Sequence, residues 1–195
     1  MIRTSYHLKT AATANLLTTA LAKTHLREEL TDATNDAYID TLVAAAQNQV
    51  EDYTNRKLTA STLYFYLSGF PTNGIVLPFS PVSSITSITY YDGANALQTL
   101  SSANYYYSVY EEPLKILPTD SWPETYDDRF NAVIVEFVTG YTSPDTCPDA
   151  LKHAVKLLLG DMYNNRQNIL KERRELWHLL SDPYRVFHST LENTQ

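Results

Sequence analysis

The residue types that do most of the chemistry in proteins are present in this chain, but their spacing matches no catalytic or ligand-binding motif. There is no glycine-rich phosphate loop, no G-x-S-x-G nucleophile turn and no H-E-x-x-H zinc motif. The 5 glycines are scattered singly, and the single cysteine excludes a multi-thiolate metal site and an internal disulfide. No two of the histidines are paired at metal spacing on one helix face; they are His7, His25, His153, His178 and His188. We therefore expect no metal and no cofactor.

Adjacent carboxylates are the nearest approach to acid–base chemistry. They occur at Glu111-Glu112 and at Asp127-Asp128. Paired carboxylates catalyse proton transfer when one of them lies in an apolar pocket, whereas neighbours in a turn usually lie in water. A hydrolase that uses Glu111 or Asp127 is therefore the weakest interpretation, and we expect no enzyme.

Two further groups have structural interpretations. Cys147 precedes Pro148 and has no histidine near it in sequence, which predicts a buried or helix-capping thiol. Lys171, Arg173 and Arg174 form a basic cluster, but glutamates are interleaved with them. This pattern favours a helix face laced with ion pairs over a phosphate site.

The overall composition indicates a protein whose surface meets other protein. The chain has 195 residues, 44% of them hydrophobic, with 15 Lys and Arg against 22 Asp and Glu. Charged residues make up 19%, below the ~25% typical of soluble domains. Tyrosine is frequent at 15 copies and offers a large, rigid contact with a polar tip. A strongly basic nucleic-acid binder is excluded by the net charge of −7, and no apolar run approaches the ~20 residues of a membrane span.

The hydropathy pattern predicts an α+β fold, a small bundle of three to four helices with an inserted antiparallel β-rich subdomain. We expect the N-terminal helices of the core in residues 1–57 and the β-rich insertion in residues 58–147. Residues 148–195 would supply the C-terminal core helix and an arm.

The helices are predicted from apolar stripes. The clearest helix covers residues 35–55, with Asn35 as the N-cap. Its stripe, at offsets 0, 3, 4, 7, 11 and 14, comprises Ile39, Leu42, Val43, Ala46, Val50 and Tyr53. A first helix is expected over residues 11–28. A third begins at Pro148 and repeats these offsets from Leu151 to Met162.

The strands are predicted from alternation and turn signals. Leu63, Phe65 and Leu67 alternate with polar or tyrosine neighbours, as in a half-buried strand. The segment 83–91 is rich in Ile, Thr and Tyr and ends at Asp92-Gly93, a hairpin signal. Further strands are expected at 105–109, 114–117 and 132–139.

Several segments, taken in order, resemble one family. They are LAKTHLR (21–27), VEDYTNR (50–56), LPFSPVSSI (77–85), ITYYDG (88–93), SWP (121–123), NAVIVEF (131–137), GY (140–141), YNNR (163–166) and LLSDPYR (179–185). Together they span residues 20–187. This order resembles the head–tail connector, or adaptor, proteins of long-tailed bacteriophages, in the longer form with a β insertion.

The resemblance implies structural work in a virion. Such proteins form a homo-oligomeric ring of about twelve copies beneath the portal. The ring extends the DNA channel and offers a platform for a stopper or tail-completion protein. The implied partners are the portal protein and that neck or tail protein, while viral DNA passes through without specific binding. The implied location is the neck of the virion after assembly in the host cytoplasm, with no membrane involved.

The C-terminal segment, residues 167–195, is the candidate site for engaging the portal or a neighbouring subunit. Its large apolar groups would act as anchors and its arginines would pair with acids at the rim. The candidate interface residues are Arg173, Arg174, Leu176, Trp177, Leu179, Leu180, Tyr184, Arg185 and Phe187. The alternative is that this arm folds back on its own core.

A different function class also remains open. The β insertion could be a ligand- or carbohydrate-binding module, with Trp122 and the run Tyr105-Tyr106-Tyr107 as a stacking platform. The structural interpretation is that these aromatic side chains fill a sheet face and a subunit interface.

Overall fold

The structure is a computed structural model that describes residues 2–165 and 175–187. It is a mixed α+β fold, as predicted, in which the chain divides into two compact units. Among the described residues, the helical unit draws on 12–59, 141–165 and 175–185, and the β unit draws on 2–11, 60–140 and 186–187.

The helical unit holds four helices among its described residues. They are α1 (Thr19–Leu26), α2 (Asp36–Thr54), α3 (Asp149–Asn164) and α4 (Leu176–Ser181). The predicted long helices are confirmed within a residue at their starts, although the side chain of Asn35 makes no capping hydrogen bond. The first helix is shorter than the predicted span of 11–28. It begins where the Thr18 hydroxyl accepts a hydrogen bond from the N–H of Leu21.

The two predicted stripes form the core of this unit. The members of both stripes that are almost wholly buried are Ile39, Val43, Ala46, Val50, Leu151, Ala154, Val155 and Leu158. Both helices therefore turn the predicted face inward, in contact with each other.

A buried polar network lies beside that apolar core. The Gln47 amide nitrogen donates to Glu51 Oε1 at 3.0 Å and to Thr59 Oγ1 at 3.0 Å. Gln47 Oε1 accepts the N–H of Leu16 at 2.8 Å, and Glu51 Oε1 accepts the N–H of Leu58 at 2.9 Å. Through these hydrogen bonds, Gln47 holds the segment that leads into α1, and Glu51 holds the segment that follows α2.

The described β unit contains two antiparallel sheets. The strands are β1 (Thr4–Thr10), β2 (Ser61–Leu67), β3 (Ile75–Val76), β4 (Val82–Tyr91), β5 (Leu97–Thr99), β6 (Tyr105–Tyr107), β7 (Lys115–Pro118) and β8 (Val133–Thr139). The larger sheet has the order β1-β2-β8-β4-β5, and the smaller has the order β3-β7-β6. The predicted strands are present, and β2 and β8 bury every second side chain.

One strand of this sheet was not predicted. β1 pairs antiparallel with β2, from Thr4 opposite Leu67 to Leu8 opposite Leu63, so the β unit begins inside the stretch expected to supply only helices. Every β1 residue is exposed, and its apolar face consists of Tyr6 and Leu8 alone, a pattern too short to mark a half-buried strand.

The predicted hairpin between β4 and β5 is confirmed. Asp92 Oδ1 accepts the backbone N–H groups of Ala94 and Ala96 at 3.0 Å and 2.9 Å, and Oδ2 accepts from the Gln98 amide at 2.9 Å. The hydrogen bond from Ala96 is the main reason that the pKa of Asp92 lies below its ordinary value. An aspartate at this position thus closes the turn with its own side chain.

Candidate subunit interface

Trp177, the largest of the predicted anchors, is buried inside its own helical unit at 4% exposure. Its ring meets Tyr53 of α2 edge to face, with centroids 5.3 Å apart. Its indole N–H donates to Glu175 at 2.8 Å. Trp177 therefore ties the short helix α4 to the core of this unit.

The residues after Trp177 also pack on the helical unit. The Tyr53 hydroxyl donates to a carboxylate oxygen of Asp182, and the Arg185 guanidinium lies over the Tyr53 ring at 4.6 Å. Arg56 Nε donates to the backbone carbonyl of Tyr184 at 2.5 Å. Leu180 and Tyr184 pack on the helical core. These contacts match the alternative in which the arm folds back on its own unit.

Two of the predicted anchors project into solvent instead. Leu176 is 56% exposed and Leu179 is 54% exposed. They are three positions apart on α4, a spacing that places both on one side of a helix. The described helical unit thus presents an apolar pair, here named the α4 pair, which has the chemistry of an interface anchor.

The remaining predicted interface residues divide between the β unit and the undescribed segment. Phe187 belongs to the β unit and is exposed. Arg173 and Arg174 lie outside the described residues, as does the rest of the basic cluster.

The run Tyr105-Tyr106-Tyr107 forms β6, at the edge of the smaller sheet. The rings of Tyr105 and Tyr107 stack with centroids 6.3 Å apart, while Tyr106 is exposed. Tyr110, in the turn that follows, is 93% exposed. This tip of the β unit is rich in the residue type that protein interfaces favour.

Trp122 lies apart from that tyrosine run, in a cleft of about 860 Å³. One face of its ring stacks on Phe70, with centroids 4.6 Å apart and planes 7° from parallel. Its indole N–H donates to the carbonyl of Pro71 at 3.0 Å. The carboxylates on the cleft walls are Asp120, Glu124, Asp127 and Asp128. Phe70 therefore covers one of the two faces that a stacking platform for sugars would offer.

The candidate catalytic groups lie in settings that suit a structural protein. Glu111, Glu112, Asp127 and Asp128 are all exposed, and not in the apolar surroundings that acid–base catalysis needs. Cys147 is buried, as predicted, and burial raises the pKa of its thiol to about 12. A thiol with that pKa stays protonated at neutral pH and is a poor nucleophile.

Neither a metal site nor a membrane span is found in the part of the chain that the structure describes. Over residues 2–165 and 175–187, the His, Cys, Asp and Glu side chains form no group of three or more that could hold a metal ion. Within the same ranges, no helix is both long enough and apolar enough to cross a bilayer.

Three solved structures share this architecture. The chain matches one in the neck of an empty gene transfer agent particle computed with C6 symmetry, at TM-score 0.82 and 20% identity over 95% of this chain and 97% of that one. It also matches a chain of the native gene transfer agent virion, at TM-score 0.81 and 20% identity over 94% and 96%. A third match is to the neck of the native particle computed with C12 symmetry, at TM-score 0.68 and 18% identity over 93% and 97%. At these identities the likeness shows that the fold is shared.

The sequence itself shows the family. Residues 16–175 match the family model described as head completion protein, and the chain belongs to that family. None of the curated proteins compared with the chain matches it. The resemblance to phage connector proteins, argued from nine short segments, is thus confirmed.

Sequence reasoning missed two exposed interface candidates of the β unit, strand β1 and the side chain of Tyr110. The segment Thr4–Thr10 contains Thr, Tyr and Leu, which suit strands, but just two apolar residues, Tyr6 and Leu8. The signal for Tyr110 was present, because it follows a tyrosine run and precedes two glutamates and a proline, a pattern typical of a projecting turn.

Proposed function

We propose that this chain is a structural neck protein that forms a ring of identical copies beneath the portal of a phage-like particle. The ring would extend the DNA channel and offer a platform for a stopper or tail-completion protein. The observation that carries the proposal is the match of residues 16–175 to the head completion protein family. The neck structures of the matched particles, which were computed with C6 and C12 symmetry, support a ring of about twelve copies.

The charge distribution supports a passive conduit. Residues 58–150 carry ten acidic side chains against Lys115 and Arg129. Arg129 is engaged within the β unit, where its guanidinium lies 3.4 Å from the centroid of the Tyr91 ring and donates to Asn95 at 2.9 Å. A channel wall with few available cations releases few counterions from DNA. It therefore binds DNA weakly and lets the DNA pass.

The α4 pair supports contact with another protein. Burying two leucine side chains from water gains about 1.5–3 kcal/mol each, and a ring repeats that gain in every copy. We propose that Leu176 and Leu179 contact the portal, with Arg173, Arg174 and Arg185 as rim partners. Trp177 would act in this contact by holding α4 in place.

The test is a particle preparation that lacks this chain. We expect DNA-filled heads without tails to accumulate, and the wild-type chain to restore complete particles. The double variant Leu176→Asp/Leu179→Asp should fold but fail to restore them. The control is Leu30→Asp, which makes the same kind of substitution, with one added charge in place of two, on an exposed leucine of the loop before α2. Tailed particles without the chain would contradict the proposed role, and full rescue by the double variant would remove the α4 pair from it.

A further inference from the structure

The outer edge of β1 is an open strand edge. β1 is the terminal strand of the five-stranded sheet, and among the described residues its partner is β2 on one side alone. All seven of its residues are exposed. The strand contributes nothing to the apolar core of its own unit, so it is held by its pairing with β2 and by a few side-chain contacts. The clearest of these are the Lys9–Glu136 ion pair at 2.7 Å and the edge-to-face contact of Tyr6 with Phe79.

The register shows which backbone groups face outward. The N–H of Ser68 donates to the carbonyl of Arg3 at 3.0 Å, so Arg3 turns its backbone groups toward the β2 side. Inward and outward groups alternate along an antiparallel strand. Ser5 and His7 therefore also face β2, and Thr4, Tyr6 and Leu8 direct their N–H and C=O groups to the open side.

From Thr4 to Leu8, this edge lacks the devices that keep strand edges from pairing. Natural edge strands are blunted by proline, by bulges, by short length or by charged side chains. β1 is seven residues long, contains no proline and keeps an even register from Thr4 to Leu8, and its one register shift lies at the end of the strand, between Leu8 and Thr10. Its one lysine, Lys9, is turned back to Glu136. An edge of this kind is suited to accept a strand.

The charge of the β unit points to a second copy of this chain as the partner. Residues 1–11 carry Arg3, Lys9 and no acid, whereas residues 60–140 carry two cations and eight acids. A head-to-tail contact between identical subunits joins two different surfaces of the same unit, and the net charges of these two ranges, +2 from two cations and −6 from two cations and eight acids, have opposite sign.

The opposite edge of the same sheet offers the matching strand. β5 is that edge, its three residues are all exposed, and Leu97 is 56% exposed. β4, which lies beside it, is irregular, with register shifts between Val82 and Ser84 and between Ile85 and Ser87. These shifts make β4 a poor acceptor and leave β5 as the regular part of the edge.

We propose that the outer edge of β1 pairs with β5 of a second copy, so that the larger sheet continues from subunit to subunit. Gln98, which the register places on the same face of the sheet as Tyr6 and Leu8, would then lie beside these residues of the next copy. The inference rests on the proposed function for the closure of the ring, because a head-to-tail contact closes into a ring or continues as a filament.

The first experiment removes two of the three outward N–H donors of β1 and leaves the pairing with β2 intact. In the variant Thr4→Pro/Leu8→Pro, two N–H groups that face the open side are lost. The matched control, Thr4→Val/Leu8→Val, keeps both donors. By sedimentation of the purified full chain, we expect the proline variant to associate about tenfold or more weakly than wild type, with an unchanged thermal transition, and the control to associate normally. Equal association of both variants, or a wild-type chain that stays monomeric at its highest soluble concentration, would overturn the proposal.

The second experiment identifies the partner strand by disulfide cross-linking. Two single variants on the same face of the sheet, Leu8→Cys and Gln98→Cys, are oxidised separately and as a mixture; native Cys147 is buried and does not compete. A cross-linked dimer that forms in the mixture alone supports the pairing of β1 with β5. A dimer of Leu8→Cys with itself would show a two-fold β1 pairing and overturn the head-to-tail arrangement. Ring formation without either cross-link would refute the strand pairing and leave the proposed function intact.

Discussion

Tyr53 and Trp177 lie far apart in sequence and meet edge to face, with ring centroids 5.3 Å apart, in the core of the helical unit. Tyr53 closes the apolar stripe of α2, and Trp177 begins the docked part of the C-terminal segment. The contact docks α4, Leu176–Ser181, on the folded helical unit.

The first prediction follows from this contact. Trp177→Ala should lower the free energy of unfolding by about 3–5 kcal/mol, because it removes a buried indole and leaves a cavity against Tyr53. Leu179→Ala, two residues later on the exposed face of α4, should change it by less than about 0.5 kcal/mol. Urea denaturation of both variants measures the difference. Equal small effects would mean that Trp177 does not dock as described.

The second prediction concerns the buried pair of Gln47 and Glu51. Glu51→Ala removes the acceptor for the N–H of Leu58 and for the Gln47 amide, and an unsatisfied buried group costs about 1–3 kcal/mol. Asp52→Ala is the matched control, since Asp52 is the next residue of α2 and is exposed. We expect a clear loss of stability for Glu51→Ala and almost none for Asp52→Ala in chemical denaturation. Similar losses of unfolding free energy in the two variants would contradict the buried hydrogen-bond network of Gln47 and Glu51.

The third prediction is a pH dependence at His25. Partial burial, with smaller contributions from the charges of Lys156 and His153, lowers the pKa of His25 below its ordinary value. The unfolded chain therefore binds a proton on this side chain more readily than the folded chain. The contribution of the neutral His25 imidazole to the free energy of unfolding is complete above about pH 6.5. It is lost as pH falls from there toward the lowered pKa of the folded state.

Two measurements check that sign. An NMR titration should place the midpoint for the His25 imidazole below the ordinary histidine range. The variant His25→Gln should show a smaller fall in unfolding free energy between about pH 6.5 and pH 5 than wild type does. A wild-type slope retained in the variant would assign the dependence to other groups.

The fourth prediction is that the chain does not hold duplex DNA. In a gel shift at ~150 mM salt we expect no binding at micromolar protein, because residues 58–150 offer too few cations for counterion release. The variant Asp127→Lys/Asp128→Lys, which reverses two exposed charges, serves as a positive control and should increase the retained fraction. Micromolar binding by the wild-type chain would contradict the passive-conduit account.

The helices show how much of this fold could be predicted from sequence. The stripe from Ile39 to Tyr53 and its repeat from Leu151 to Met162 predicted both long helices and their buried faces, because one period of apolar residues suffices to define a face. The alternation of Leu63, Phe65 and Leu67 predicted β2 for the same reason.

The elements that escaped prediction lack such a pattern. β1 buries no side chain, so no apolar period marks it, and its pairing is carried by backbone bonds that any sequence can form. Leu176, Trp177 and Leu179 are all large apolar residues, and composition alone does not distinguish the buried indole from the exposed leucines. That distinction depends on Tyr53, a residue brought close by tertiary packing.

Assembly of identical copies into a ring on the portal is tested most directly by imaging the purified chain mixed with its portal protein. By electron microscopy we expect closed rings of about twelve copies seated on one face of the portal, with a central opening wide enough for duplex DNA. The variant Leu176→Asp/Leu179→Asp should leave the portal bare. A wild-type chain that remains monomeric beside an unoccupied portal would contradict the account.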